Sequence, residues 1–170
     1  GGIAVGVHST QFAIRDPKIG LYAPVLQLAA ETTSAWLAPK SRPLVLIAGL
    51  CGRTPQACRE AEVAGGLGYH AGLLSLGAWA GDAESKVLAH CRAVAREIPL
   101  VGFYLQNAVG GRTFTYRFWR QFAEIPQLVG LKIAPFNRYR TIDVVRAVLE
   151  SERDDVALYT GNDDHIIGDL

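Results

Sequence analysis

The chain is predicted to be an α/β protein, an incomplete (β/α)8 TIM barrel, and three observations predict it. Short runs rich in Val, Leu and Ile alternate with longer stretches of helical period along all 170 residues. The runs are continuously apolar, as in strands buried on both faces, and an intervening helix makes successive strands parallel with right-handed crossovers. Evenly sized units without a long insertion or charged linker favour a closed barrel over an open doubly wound sheet, although six strands fall two short of closure.

In chain order, strands are expected at Ile3 to Val7, Leu44 to Ala48, Ala71 to Leu76, Leu100 to Leu105, Leu128 to Ala134 and Val156 to Tyr159. Helices are expected near Leu21 to Trp36, Thr54 to Gly65, Asp82 to Glu97, Phe114 to Glu124 and Thr141 to Glu150. Thr54-Pro55 puts proline at the first helical position, where its missing N–H costs nothing, and Thr141-Ile142-Asp143 reads as a polar cap before Val144. Residues 1–170 are read as one domain without its first and last units. The absence of Met and the start at Gly1-Gly2-Ile3 are expected of a segment of a longer protein, whose edge strands would be an aggregation hazard in isolation.

Composition narrows the function. Lys+Arg 17 against Asp+Glu 16 gives a formal net charge of +1, with 49% hydrophobic and 19% charged residues. A core is affordable, and no basic run offers the electrostatic footprint of a nucleic-acid or anionic-membrane partner. No apolar run approaches the ~18 residues of a membrane span. Three cysteines, Cys51, Cys58 and Cys91, form no CxxC pair or even-numbered framework, and no basic-then-apolar leader opens the chain. A soluble protein of the reducing cytoplasm is expected.

Lys132, in Leu128-Val-Gly-Leu-Lys-Ile-Ala134, carries the most information, because lysine is rarely buried and this strand reads as buried on both faces. Alternation puts Val129, Leu131 and Ile133 toward the helices and Gly130 with Lys132 toward a barrel interior. An amine desolvated there loses charge and becomes the nucleophile that forms a Schiff base with a carbonyl. A lysine that snorkels to solvent or pairs with a carboxylate fits the same position. Tyr104, in Leu100-Val-Gly-Phe-Tyr-Leu105, repeats the spacing: Gly102 and Tyr104 are expected inward, with Val101, Phe103 and Leu105 outward. Its hydroxyl suits proton transfer, and its ring suits a core aromatic. The turn Gly6-Val-His-Ser-Thr-Gln-Phe12 offers N–H groups and hydroxyls to a carboxylate or phosphate, or is an ordinary polar turn.

Lys132 in Gly130-Leu-Lys-Ile-Ala134, Tyr104 at the end of the preceding strand, Ser9-Thr10, Ala48-Gly49-Leu-Cys-Gly52 and Thr160-Gly161-Asn-Asp163 together resemble the dihydrodipicolinate synthase and N-acetylneuraminate lyase family. Their order and spacing match strands two to seven of that family's barrel. The resemblance implies a class I lyase or aldolase in which Lys132 condenses with pyruvate or a related 2-oxo acid. By position it implies Tyr104 as the proton-transferring phenol, Ser9 as its relay hydroxyl, and Thr10 and Gly161 as substrate-binding residues. It further implies an aldehyde second substrate, no metal or organic cofactor, and a homo-oligomer, dimer or tetramer.

Three departures accompany the resemblance. Gln11 and Phe12 replace the family's Gly and Glu, Leu74-Ser-Leu-Gly-Ala-Trp79 stands where an aromatic and proline turn is common, and Arg112 lies beyond the usual arginine position. Aspartate semialdehyde, whose carboxylate wants that arginine, is therefore not the expected substrate. A homologue that binds a 2-oxo acid or sugar acid without turnover is the rival reading. A third is a metal-assisted enzyme using Asp163, Asp164 and His165, residues that equally suit a loop capping the next helix.

Overall fold

In the computed structural model, which describes residues 1–7, 12–38 and 42–169, the chain forms a six-stranded parallel sheet with strands in sequential order. The strands are β1 (Gly2–Val5), β2 (Val45–Leu50), β3 (Ala71–Leu74), β4 (Leu100–Leu105), β5 (Leu128–Ala134) and β6 (Ala157–Thr160). The helices are α1 (Tyr22–Leu37), α2 (Thr54–Gly66), α3 (Glu84–Ala95), α4 (Tyr116–Ala123), α5 (Arg138–Leu149) and α6 (Ile166–Asp169). All five pairings are parallel. Residues of β1 and β6, the two edges, line the same trough, so the sheet is curled into a half-barrel.

Two layers of side chains hold it together. On the convex side, Leu46, Ala48, Leu50, Leu74, Leu100, Leu131 and Ile133 pack with the helices into one large buried cluster. On the concave side, Ala71, Leu73, Val101, Phe103 and Ala134 form a smaller cluster. The central strands β3 and β4 are thus covered on both faces, while the edge strands β1 and β6 stay largely exposed.

The expected ranges for β4 and β5 match the observed ones, and the other edges shift by a few residues, chiefly where capping differs. α5 starts three residues before Thr141, because Asn137 takes extended backbone and its side chain accepts a hydrogen bond from the Arg140 N–H at 3.2 Å. Thr141 instead bonds back to the Asn137 carbonyl from inside the helix. α4 is capped by Thr115, which accepts from the Phe118 N–H at 3.1 Å. Arg153 fastens the segment leading into β5, donating to the carbonyls of Ala123, Ile125 and Leu128.

His90, in α3, is buried. Its ring stacks on Trp79, with centroids 4.7 Å apart, and its Nδ1 lies 3.0 Å from Thr54 Oγ1. Desolvation, with the Arg53 charge second, depresses its pKa to about 4. All three cysteines are free. Among the described residues no helix is long and apolar enough to cross a membrane.

Candidate active site

Lys132 stands in the carboxyl half of β5, in register with Phe103 of β4 and Tyr159 of β6. All three side chains therefore emerge on one face, the concave one. A trough of about 720 Å³ runs along that face, lined by Ala4, Ile47, Leu73, Val101, Lys132 and Tyr159 among others. Lys132 is the sole lysine or arginine lining it among the described residues. Its ammonium nitrogen lies 5.0 Å from the centroid of the Phe103 ring, in cation–π geometry. Its Cε passes Gly161, where an added Cβ would come within 3.1 Å of it, so the absent side chain at Gly161 gives the lysine its path. The fold brings Lys132 and Gly161 together at the carboxyl end of the sheet.

Strand alternation fails for one residue of β5. Val129, expected on the helix side, lines the trough and is 42% exposed, because the ladder slips between Leu100/Val101 and the facing Leu128/Gly130. Leu131 and Ile133 do face the helices.

Tyr104 is the larger correction. It was expected inward beside Lys132, and it pairs instead with Ile133, pointing to the convex side. There it is buried among aromatics, 4.7 Å from Trp119 and 6.3 Å from Phe114 between ring centroids. Burial is the main cause that raises its pKa. The physical reason is visible at Gly102, where a Cβ would meet the Leu131 side chain at 2.5 Å and the Phe122 ring at 2.7 Å. That glycine makes room for the helix layer, whereas the expectation had it making room in the barrel interior. Val101, Phe103 and Leu105, expected outward, pack on the concave side.

Ser9, Thr10 and Gln11 lie outside the described residues. The chain on either side of them is anchored by a buried ion pair: Arg15 Nε lies 3.0 Å from Glu60 Oε1, and both side chains are 8% exposed. Arg15 Nη2 also donates to the carbonyls of Gly6 and Gly49, beyond the ends of β1 and within β2, and Glu60 accepts from the Cys51 N–H. Burial and then the Glu60 charge push the Cys51 thiol up to about 11, so it is a poor nucleophile at neutral pH.

Arg112 is committed to the scaffold. It donates to the carbonyls of Trp79 at 2.9 Å and Asp82 at 2.6 Å while its guanidinium lies 4.8 Å from the Phe114 ring centroid. After β6, Asn162 is buried and fully engaged: its amide donates to Thr141 and Asp169, and its oxygen accepts from the Phe136 N–H. Asp169 also accepts from Thr160, a bond that leads the causes lowering its pKa. Among the described residues no group of three or more His, Cys, Asp or Glu side chains is placed to hold a metal ion. Asp163, Asp164 and His165 belong instead to the turn that leads into α6.

Reasoning from sequence missed Phe103, Tyr159 and the Arg15–Glu60 pair. A signal for the first lay in α4, whose Phe118, Trp119 and Phe122 demand an aromatic-accepting convex surface on the strand beneath. That surface is supplied by Gly102 and Tyr104. No local pattern marks Arg15 and Glu60, which are 45 residues apart.

No family model matches the chain, and no curated protein matches it in sequence. Solved structures do match in fold. Dihydrodipicolinate synthase from Cyanidioschyzon merolae with lysine bound is 21% identical with a TM-score of 0.80, covering 99% of this chain and 54% of its own. The chloride-inhibited enzyme from Acinetobacter baumannii, complexed with pyruvate, is 23% identical with a TM-score of 0.74, covering 97% of this chain and 53% of its own. The synthase from Aquifex aeolicus is 17% identical with a TM-score of 0.74 and coverage of 99% and 54%. The chain spans about half the length of these proteins. In fold, then, it is similar to the dihydrodipicolinate synthases over that half.

Proposed function

We propose that the chain carries the nucleophilic lysine of a class I lyase or aldolase acting on pyruvate or a related 2-oxo acid. The observation that supports this best is Lys132, among the described residues the one lysine or arginine lining an apolar concave face, at the carboxyl ends of parallel strands where α/β barrels do their chemistry. In this reading the free amine adds to the ketone, and loss of water leaves an iminium. The iminium draws electrons from the neighbouring carbon, so that a carbon–carbon bond to an aldehyde forms or breaks. No metal or organic cofactor takes part. Thr10, with Ser9 beside it in sequence, would hold the substrate carboxylate, and Gly161 would line the bound acid. Two further strands would close the barrel to eight, and the intact protein would be a cytoplasmic homo-oligomer.

Phe103 favours a second reading. With a hydroxyl-free ring beside Lys132 and Tyr104 on the other face, the site would bind a 2-oxo acid without turning it over. Borohydride trapping of the whole protein with pyruvate, followed by peptide mass mapping, separates the two. A reduced adduct on Lys132 is the expected result. Saturable thermal stabilisation by pyruvate without any adduct would establish the binder.

A further inference from the structure

Resting on the lyase reading just given, we propose that Tyr159 is the catalytic residue that carries the protons of Schiff-base formation. The lysine's two neighbours in the sheet define the choice. Phe103 on β4 has no titratable group, and Tyr159 on β6 has a phenol. Parallel strands lie roughly 4.8 Å apart, so residues in register present their side chains side by side. Tyr159 is 58% exposed, and it lines the same trough as Lys132.

The fold also makes room for its ring on that face. At Gly130, the residue two before Lys132, an added Cβ would lie 3.3 Å from Tyr159 Cε2. A side chain there would crowd the phenol. The lysine, for its part, leans the other way along the strands, past Gly161. The phenol and the amine therefore stem from adjacent register positions on the wall of one trough. Two other hydroxyls among the described residues are committed elsewhere: Thr160 donates to Asp169 at 2.6 Å, and Tyr104 is buried on the convex side.

The proton balance closes on one phenol. The lysine amine adds to the ketone carbon, and its proton passes to the new alkoxide to give a carbinolamine. The phenol protonates the departing hydroxyl, which leaves as water, and the pair becomes iminium and phenolate. The phenolate then takes a proton from the methyl carbon, giving the enamine and restoring the phenol. Amine and ketone have become enamine and water, with the phenol unchanged.

The test is exchange of the pyruvate methyl protons for deuterium, read by proton NMR in D2O with the whole protein. Borohydride trapping of the same samples is run alongside. Tyr159→Phe is expected to slow exchange by roughly 10²-fold or more, the share a positioned acid–base group contributes, while an adduct on Lys132 still accumulates at long times. Tyr104→Phe is expected to exchange like the unaltered protein. Unchanged exchange in Tyr159→Phe overturns the assignment while leaving the lyase reading intact, as does loss of exchange in Tyr104→Phe alone. Absence of any adduct in the unaltered protein overturns both.

Discussion

Two neighbouring strands carry nearly the same word and use it in opposite ways. Gly102-Phe-Tyr104 in β4 and Gly130-Leu-Lys132 in β5 share a glycine two residues ahead of a side chain with a polar tip. Yet Tyr104 faces the helices and Lys132 faces the trough. Spacing within a strand fixes which residues share a face and leaves open which face that is. The choice is made by the neighbouring layer. β4 lies under α4, whose Trp119 packs against the Tyr104 ring and whose Phe122 reaches into the gap at Gly102. β5 has Leu131 and Ile133 to give to that layer, so its lysine is turned inward.

The sharpest way to break the comparison is to exchange the roles of the two tips. Lys132→Ala is expected to abolish the pyruvate adduct entirely while leaving the urea midpoint nearly unchanged, because the lysine is only partly buried on the concave face. Tyr104→Ala should do the reverse. Emptying its site in the aromatic cluster is expected to cost about 3–5 kcal/mol in urea unfolding, without preventing the adduct in protein that remains folded. An adduct insensitive to Lys132→Ala would remove the lysine from the chemistry.

The convex layer makes a second demand that the concave one does not, since it encloses a titratable base. With a folded pKa of about 4 against an ordinary value near 6.5, His90 stays neutral in the fold where the unfolded chain takes up a proton. Its contribution is fully present above the unfolded value and is lost as pH falls from there toward 4. The expected loss at pH 5 is about 2 kcal/mol, and His90→Gln should flatten that part of the pH profile of the urea midpoint. A slope unaltered in the variant would assign it to other groups.

Much of this was legible in the sequence, for identifiable reasons. The strand ranges of β4 and β5 follow from continuous apolar runs closed by glycine and polar turns, which are local signals, whereas the approach of Lys132 to Gly161 is seen only in the folded sheet. The face of Tyr104 was not legible, because it depends on where α4 lands and on the ladder slip opposite Leu128, and neither is written in β4 itself. The start of α5 was misplaced because Asn137 and Thr141 are both acceptable caps, and the backbone at Asn137 decides between them. The buried Arg15–Glu60 pair links residues that only the finished sheet brings together.

The two glycines give the finest test of the same contrast. At Gly102 a methyl group would sit 2.5 Å from Leu131 Cδ2 and 2.7 Å from Phe122 Cε1, inside a packed layer that can yield only by displacing both. Gly102→Ala is therefore expected to destabilise by about 1–3 kcal/mol, read as a lower urea midpoint at unchanged slope. At Gly130 the nearest atoms are the Ala157 carbonyl oxygen at 3.1 Å and the Tyr159 ring at 3.3 Å, and that ring lies on an open surface free to swing away. Gly130→Ala gains back roughly 0.5–1 kcal/mol of backbone entropy that glycine forfeits in a strand, so its midpoint should barely move. What it should move is the position of the phenol, and with it the exchange rate of pyruvate protons. The same substitution in the same word would then cost stability on the convex face and function on the concave one, and equal effects on stability at both sites would refute the division of labour between them.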